Sequence, residues 1–382
     1  MISRIASILI CLVFTGSLSA SQFSTEKDPF SYHENATPLK IAVVGLVHDH
    51  VNWILGRKKM DDIQMIAIVE PNQGLAEKYA KRYGFSLDLV YPTLEAMYEK
   101  VKPEAVTAFN SIYDHLAVVE FCAPRGIHVM VEKPLAVSVD HAQKMIRLAQ
   151  ENNIHLVTNY ETTWYGSHRE AYRFIENEGK IGDIRKMVFY TGHQGPREIG
   201  CSEEFLAWLT DPVLNGGGAL TDFGCYGSNL ATWFMRGATP VSVTCLTKQN
   251  KPEIYPRVDD DATIILNYPK TEVIILASWD WPFGRKETEI YGQTGFVFCE
   301  NGKHMRLLEA GKKEVQEMEA PDSPTGINDP FHYLFQVVKM GYKEPAYNLS
   351  SPENNLMVVQ ILEAAKESAR QGKTIRWSEF YK

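Results

Sequence analysis

Between residues 39 and 155 the chain alternates short apolar runs with amphipathic stretches, and this rhythm restricts its fold more than any other feature. The run Lys40-Ile-Ala-Val-Val-Gly45 is almost continuously apolar, which is typical of a strand buried on both faces of a parallel sheet. Further strands are predicted at 64–70, 105–109 and 128–131, with helices between them and another helix over 140–152. Strands that alternate with helices indicate right-handed β-α-β units, so we expect an α/β domain with a doubly wound parallel sheet over 38–155.

Beyond residue 155 strand patterns dominate and predict a second domain of the α+β class over 156–382, built on a large, mostly antiparallel sheet. The predicted strands are 184–191, 240–247, 261–267, 272–278, 288–291, 296–299 and 304–308. Gly292-Gln-Thr-Gly295 and Asn301-Gly302 are hairpin turn signals between the later strands. Helices are predicted at 203–209, 219–235 and 329–340, and a last helix begins at Ser351-Pro352 and ends near Gly372.

The first twenty residues have the pattern of a secretory signal peptide. Arg4 precedes the ten-residue apolar stretch Ile5–Phe14, and small residues follow up to Ala20. Ten residues are too few to cross a bilayer core of ~30 Å. We therefore predict cleavage near Ala20 and an exported, periplasmic protein that is not membrane-embedded; the alternative is a buried N-terminal helix and a cytoplasmic protein. With 39 Lys+Arg against 47 Asp+Glu, the net charge of −8 argues against nucleic acid as a partner.

The turn after the first strand reads Gly45-Leu-Val-His-Asp-His50, where a dinucleotide site would have G-x-G-x-x-G. Only the first glycine of that fingerprint is present, so this motif alone is a weak signal. His48 either donates a hydrogen bond to a phosphate or is an ordinary loop histidine. A metal site at His48 and His50 lacks a third ligand at a suitable spacing, and we predict no metal.

Glu70 gives a stronger indication of the cofactor. It ends the second predicted strand, where a carboxylate accepts hydrogen bonds from both ribose hydroxyls of a dinucleotide. The same carboxylate would repel a 2′-phosphate, so NAD is favoured over NADP. The alternative is a solvated loop glutamate.

Two separated motifs resemble the glucose–fructose oxidoreductase, inositol dehydrogenase and related (Gfo/Idh/MocA) family over roughly residues 38–300. They are Val131-Glu-Lys-Pro134, preceded by Asn110 and His115, and Gly216-Gly-Gly-Ala-Leu-Thr-Asp-Phe-Gly-Cys-Tyr226. The resemblance implies a Rossmann domain that binds NAD through Asn110, His115, Glu132 and Lys133, and a second domain whose sheet often forms an oligomer interface. Many members have His where this chain has Tyr226; Tyr resembles the branch of glucose–fructose oxidoreductase and dihydrodiol or xylose dehydrogenase, whose phenol is the proposed acid/base.

The residues that we expect to carry the chemistry are Lys133, Asp222 and Tyr226. Lys133 closes a buried strand, where its ammonium would stabilise a developing alkoxide and burial would lower its pKa, unless it is a surface lysine. Asp222, Tyr226 and Asn229 form one polar stripe on an apolar helix, facing either a sugar polyol or a structural network. Tyr226 would act as the base, its pKa lowered by Lys133. Alternatively, Asp222 and Lys133 form the proton relay and Tyr226 only binds.

Other substrate contacts are predicted at four positions near the domain boundary and the next strand: Asn159, Tyr160, Trp164 and His193. No Arg follows Trp164 where the family commonly has one. His193 and Trp281 either line a carbohydrate site or belong to the core and loops. Asp259-Asp-Asp261 is interpreted as a solvated acidic run, in preference to a calcium site.

These patterns together predict an NAD-dependent oxidoreductase acting on a ring hydroxyl of a sugar, glycoside or cyclic polyol. Since free NAD is scarce outside the cytoplasm, export implies NAD that is tightly held and reoxidised in place. The alternatives are an NAD-dependent glycosidase or lyase acting through a transient 3-keto sugar, and a non-catalytic sensor. The family resemblance further implies a homo-oligomer.

Overall fold

The computed structural model describes residues 37–58, 61–321 and 327–381, so the predicted signal peptide lies outside the described residues. The first domain is a six-stranded sheet whose paired strands are all parallel, in the order β3-β2-β1-β4-β5-β6. Its elements are β1 Leu39–Val44, α1 Val51–Leu55, β2 Ile63–Val69, α2 Gln73–Tyr83, β3 Val90–Tyr91, α3 Leu94–Lys100, β4 Ala105–Ala108, α4 His115–Cys122, β5 His128–Glu132, α5 Val139–Glu151 and β6 Leu156–Asn159. The predicted doubly wound parallel sheet is confirmed.

The strand order reverses between β1 and β4, and ligands of such sheets bind at the carboxyl ends of the strands beside that point. One strand of this sheet, β3, was not predicted. The strand β3 has only two residues, which is too short for a hydrophobic pattern. The strand β6 extends the parallel sheet beyond residue 155, to Asn159.

The second sheet has nine strands in the order β14-β13-β12-β11-β7-β10-β9-β8-β15, antiparallel except for the pair β7–β10. The predicted α+β architecture is therefore confirmed. The elements after β6 are α6 Gly166–Tyr172, β7 Ile184–Gly192, α7 Glu203–Leu209, α8 Ala219–Asp222, α9 Gly224–Phe234, β8 Ser242–Lys248, β9 Asp261–Asn267, β10 Glu272–Ser278, β11 Arg285–Gly292, β12 Phe296–Cys299, β13 His304–Leu308, β14 Gln316–Glu319, α10 Pro330–Lys339, α11 Pro352–Gln371, β15 Ile375–Arg376 and α12 Trp377–Phe380.

The helix predicted over 219–235 is two helices, α8 and α9, separated at Phe223. Carbonyl groups at the break are bonded to side chains outside the helix. The Asp222 carbonyl accepts from Lys133 Nζ at 3.1 Å, and the Phe223 carbonyl accepts from Thr191 Oγ1 at 3.0 Å. The break therefore anchors the second motif to the end of β5 and to β7.

The last two long helices connect the domains. Helix α10 packs on β1 and β2 of the parallel sheet, with Phe331 and Leu334 in the same apolar cluster as Ile41. Helix α11 packs against α5 on one side and against α9 and β8 on the other. Its start is as predicted, because the Ser351 side chain accepts from Asn354 N.

A buried ion cluster joins α10 to the first domain and gives a stability prediction. Asp62, 1% exposed, accepts from Arg57 at 2.9 and 2.8 Å and contacts His332 Nδ1 at 3.0 Å. Burial opposes ionisation, but these partners lower the pKa of Asp62 below its ordinary value. Asp62→Asn is expected to lower the free energy of unfolding by about 2 kcal/mol at neutral pH, measured by urea denaturation.

The pH dependence of that loss follows from the lowered pKa of Asp62. Its stabilisation is complete above the ordinary carboxyl pKa of about 4 and is lost as the pH falls towards the folded-state value. The difference in the free energy of unfolding between wild type and Asp62→Asn should therefore decrease as the pH is lowered. The control is Glu120→Gln, in an exposed pair with Lys144, which should change stability by less than about 0.5 kcal/mol. An equal loss in both variants would contradict the prediction.

No helix within the described ranges is both long and apolar enough to cross a membrane. The five cysteines after residue 20 are free thiols, and four of them are buried.

Candidate active site

The turn after β1 brings the backbone of the dinucleotide loop close to the end of β4. Gly45 has φ of +81°, and a Cβ there would lie 3.0 Å from both Cβ and N of Asn110. A side chain at this position would have to displace Asn110, so the first glycine of the fingerprint is required. Gly45 N donates to Val69 O at 2.8 Å, which fixes the turn to the end of β2.

Glu70 is buried at the end of β2, which excludes the alternative of a solvated loop glutamate. Its Oε2 accepts from Leu46 N at 2.9 Å and its Oε1 from Asn72 N at 2.8 Å, while 4% of the residue is exposed. Burial raises the pKa of Glu70, against the effect of these two N–H groups. The carboxylate thus shapes the dinucleotide loop and still has lone pairs for further donors.

His48 and His50 are joined by a third group that the local spacing did not reveal. His50 Nδ1 lies 3.0 Å and His48 Nε2 3.9 Å from Glu132 Oε2, and the ligand atoms of all three residues lie within 4.8 Å of one another. Glu132 was missed as a partner because it is remote in sequence. His48 is buried and accepts from His50 N at 3.1 Å. Burial lowers the pKa of His48 well below its usual range, so the ring is neutral.

Helix α7 of the second domain covers the dinucleotide loop. Ser202 N donates to Asp49 Oδ2 at 2.9 Å, and Trp208 Nε1 donates to Val47 O at 3.2 Å. The ring of Phe205 lies 4.6 Å from that of His48. The loop is therefore enclosed between the two domains.

Asn110 and His115 carry buried polar atoms that no described residue satisfies. These atoms are Asn110 Oδ1 and His115 Nε2. His115 Nδ1 is 3.1 Å from Leu135 O, and since burial lowers the pKa of His115 to about 4, the neutral ring donates there and keeps Nε2 as an acceptor. Buried polar atoms need partners. Together with the close backbone at Gly45, these two atoms fit a bound dinucleotide.

Lys133 forms a buried ion pair with Asp222, which excludes the alternative of a surface lysine. Its Nζ contacts Asp222 Oδ1, and the side chains of both residues are 6% exposed. Asp222 Oδ2 also accepts from Trp279 Nε1 at 2.8 Å. The expectation of a lowered lysine pKa is wrong. Burial acts in that direction, but the Asp222 carboxylate outweighs it and raises the pKa of Lys133, while the pKa of Asp222 is lowered.

Tyr226 lies beside this pair, and its ring centroid is 4.9 Å from Lys133 Nζ. Burial raises the pKa of Tyr226 well above 10, and the charges of Glu161 and Asp222 add to the effect. The expected lowering by Lys133 is therefore wrong, because the lysine is already neutralised by Asp222. The phenol is protonated at neutral pH and is a hydrogen-bond donor.

Asn159, Tyr160 and Trp164, which were predicted to contact the substrate, lie at the same edge of the sheet. The polar groups of Asn159 and Trp164 form hydrogen bonds within the protein. Asn159 Nδ2 donates to Glu132 Oε1 at 2.7 Å, and Asn159 Oδ1 accepts from Trp164 Nε1 at 3.0 Å. Asn159 and Trp164 therefore orient Glu132. Tyr160 is fully buried and lies edge-on to the Tyr226 ring at 5.5 Å. Burial, together with the neighbouring Cys225 thiol, raises the pKa of its hydroxyl well above 10.

Of the predicted polar stripe Asp222, Tyr226 and Asn229, only the first two residues face the cleft. Asn229 Nδ2 donates to Leu349 O at 2.8 Å, so this residue belongs to a structural network with α11. His193 accepts from Gly195 N at 2.9 Å and packs edge-on against Phe223. Burial lowers the pKa of His193 to about 4, so its ring is neutral near Asp222.

Three side chains at the site were not predicted from the sequence, and the acidic run 259–261 differs from its predicted role. Trp279, Glu161 and Lys286 lie at the site without any local motif. The acidic run 259–261 is not simply solvated: Asp259 accepts from Gly218 N at 3.0 Å and Leu220 N at 2.7 Å, capping α8. Asp260 is fully buried. A Cβ on Gly218 would lie 1.8 Å from Asp259 O, which explains this motif glycine.

The fold and site define a class of enzyme. Residues 39–160 match the model of the oxidoreductase family with an NAD-binding Rossmann fold, and residues 168–298 match the GFO/IDH/MocA C-terminal domain. The chain is an NAD(P)-binding oxidoreductase, and the predicted enzyme class is confirmed. It belongs to the Gfo/Idh/MocA family.

Relatives and solved structures agree with this assignment. The chain is 25% identical over 349 residues to trans-1,2-dihydrobenzene-1,2-diol dehydrogenase of Xenopus tropicalis, covering 86% of this chain and 97% of the relative. It is 21% identical to D-apiose dehydrogenase of Rhizobium rhizogenes, covering 89% and 98%. An inositol dehydrogenase homologue of Azotobacter vinelandii, solved with NAD+, superposes with a TM-score of 0.77 at 18% identity, covering 90% and 98%.

Proposed function

We propose that the protein oxidises or reduces a ring hydroxyl of a sugar, glycoside or cyclic polyol with NAD. The observation that carries this proposal is the buried Lys133–Asp222 pair beside Tyr226, at the strand ends where a dinucleotide fits. The names of the relatives support the substrate class, since one is a dehydrogenase of a cyclic diol and another of the sugar apiose.

When bound, NAD supplies the hydride acceptor, and the protein groups manage the hydroxyl and its proton. The Lys133 ammonium donates to the hydroxyl oxygen and stabilises alkoxide character as hydride leaves. Asp222 holds Lys133 in place. As the hydroxyl proton moves to Lys133 Nζ, Lys133 gives one of its own protons to the Asp222 carboxylate, so the proton released by oxidation ends on Asp222. Because Tyr226 is protonated, it donates to the substrate oxygen and orients it. The raised pKa of Tyr226 argues against the phenol as base, and the Lys133–Asp222 pair is then the proton path.

The direct experiment is a screen of purified, NAD-loaded protein against glycosides, free sugars and inositols, monitored by the absorbance of bound NADH. An increase with cyclic polyols, together with a ketone product found by mass spectrometry, is the expected result. The proposal would be overturned if none of these compounds reduced the bound NAD. If the protein were instead a non-catalytic sensor, a sugar would bind without any change in the absorbance of the nicotinamide.

The buried carboxylate of Glu70 supports NAD over NADP as the cofactor, and this preference can be measured. Glu70→Ser removes the charge that would repel a 2′-phosphate, so the ratio of Kd values for NADP and NAD is expected to fall by about tenfold or more. The readout is fluorescence titration with each nucleotide. A conserved ratio would show that the loop geometry, and not the charge of Glu70, selects the cofactor.

Retention of NAD is also proposed, supported by the cover that α7 places over the dinucleotide loop. Protein dialysed exhaustively should keep stoichiometric nicotinamide, detected by absorbance and mass. Loss of the nucleotide on dialysis would refute retention but leave the reaction untouched.

Export and periplasmic location remain proposals that rest on the pattern of residues 1–20. Amino-terminal sequencing of the mature protein should begin near residue 21, with the protein in the periplasmic fraction. An uncleaved chain in the cytoplasm would overturn export.

We also propose that the open face of the nine-stranded sheet binds a second copy of this chain. Helices α9 and α11 pack against the other face, while Val188, Tyr190, Ile274 and Leu276 on the open face are only partly buried. Light scattering after gel filtration should give a dimer or higher oligomer, and a monomer at micromolar concentration would refute this.

The glycosidase or lyase alternative requires one more proton-transfer group than oxidation does. Elimination begins with removal of the hydrogen beside the new carbonyl, so a second base must reach the adjacent carbon.

A further inference from the structure

The cleft holds a second ion pair, formed by Glu161 and Lys286, which the proposed oxidation does not use. Glu161 lies on the turn directly after β6, and Lys286 lies near the start of β11. The two side chains are in contact, and Glu161 Oε1 also accepts from Tyr165 Oη at 2.6 Å. Glu161 and Lys286 are 33% and 22% exposed, so this pair is far more accessible than the Lys133–Asp222 pair.

Both pairs approach the same phenol. Lys286 Nζ is 5.2 Å and Lys133 Nζ 4.9 Å from the centroid of the Tyr226 ring. A sugar ring that reaches Tyr226 therefore lies within range of two separate pairs of a carboxylate and an ammonium. Each pair can serve a different carbon of the same ring.

The chemistry of a ketone gives the second pair a role. Oxidation of one hydroxyl needs a single proton acceptor, which the Lys133–Asp222 pair provides. The carbonyl so formed acidifies the hydrogen on the adjacent carbon. Burial opposes ionisation of Glu161, but Lys286 and Tyr165 outweigh it and lower the pKa of Glu161, so its carboxylate is ionised at neutral pH. Lys286 contacts one carboxylate oxygen and Tyr165 donates to the other, and each oxygen keeps a lone pair that can accept a proton.

We propose that Glu161 is the base that removes the hydrogen beside the newly formed carbonyl, and that Lys286 protonates the departing oxygen of a glycoside. The proposal rests on the proposed function, which supplies the ketone. The electron pair of the broken C–H bond forms a C=C bond, and the C–O bond on the far side of that carbon breaks. The oxygen leaves with a proton from Lys286, giving an alcohol and an unsaturated ketone. A proton passing from Glu161 to Lys286 restores the pair without any further reactant.

The test bypasses hydride transfer. NAD+-loaded protein, which cannot reduce a ketone, is incubated in D2O with chemically prepared methyl 3-keto-glucoside, and NMR follows hydrogen exchange and methanol release. Wild type is expected to exchange the hydrogen beside the carbonyl and release methanol. Glu161→Gln should lose both by about 10²-fold or more. Formation of bound NADH from the corresponding glucoside, which has not been oxidised, should fall by less than about tenfold in the same variant, because Lys133 and Asp222 are retained.

A matched control variant distinguishes a specific role of Glu161 from a general effect of removing a charged side chain. Glu176→Gln, in an ion pair with Arg236 away from the cleft, should change neither reaction. Absence of exchange in wild type, or an equal loss of exchange and NADH formation in Glu161→Gln, would overturn the role of Glu161. Exchange without NADH formation from any glycoside would instead overturn the proposed oxidation and leave the role of Glu161 standing.

Discussion

Replacing Lys133 by methionine is expected to lower turnover by about 10³-fold, the largest effect of any single substitution in the site. The ammonium is the only cation in contact with the Asp222 carboxylate within the described residues, and it stands beside the Tyr226 ring. Methionine removes both the stabilisation of the alkoxide and the proton path through Asp222. The measurement is single-turnover formation of bound NADH, so that slow product release does not mask the chemical step.

The same substitution should also destabilise the fold. Among the described residues it leaves the buried Asp222 carboxylate with only Trp279 Nε1 as a side-chain donor, which costs about 3 kcal/mol in the free energy of unfolding. The double variant Lys133→Met/Asp222→Asn removes the uncompensated charge, and it should regain most of that stability without regaining turnover. Turnover within tenfold of wild type in the single variant would contradict the assignment of Lys133.

Replacing Tyr226 by phenylalanine is expected to lower turnover by about 10² to 10³-fold while NAD affinity and stability stay close to wild type. The ring packs edge-on against Tyr160, and phenylalanine keeps that packing. Only the hydroxyl that orients the substrate oxygen is lost. The Kd for NAD and the melting temperature are the controls.

The pH dependence separates the two roles considered for Tyr226. If the phenol were the base, the rate of oxidation would rise with a phenol pKa that vanishes in the phenylalanine variant. Because burial raises the pKa of Tyr226 well above 10, we expect no such limb near neutrality in either protein. A limb that disappears on substitution would restore Tyr226 as the base.

Much of the fold followed from the sequence because buried strands and turn residues leave local patterns. The apolar run before Gly45 and the cap at Ser351 are examples, and both lie where they were expected. The two-residue strands β3 and β15 left no such pattern. The break at Phe223 was also missed, because it depends on hydrogen bonds from Lys133 and Thr191 that come from other elements.

The site was predictable where a motif carried it, and not where long-range contacts decide the chemistry. Lys133, Asp222 and Tyr226 were identified as a group, but their ionisation was misjudged, since residue types alone do not show that Asp222 neutralises Lys133. Glu161 and Lys286 belong to no motif and meet only because β6 and β11 converge on the cleft.

The most direct test of the central claim is isotope transfer from substrate to cofactor. NAD-loaded protein is mixed with a fully carbon-deuterated glycoside that is active in the screen, and the nicotinamide is examined by mass spectrometry. If a ring C–H bond gives its hydride to the cofactor beside Lys133, the reduced nucleotide carries one deuterium, and Lys133→Met protein shows none. Reduced nucleotide without deuterium, or no reduced nucleotide with wild-type protein, would contradict the assignment of this site to hydride transfer.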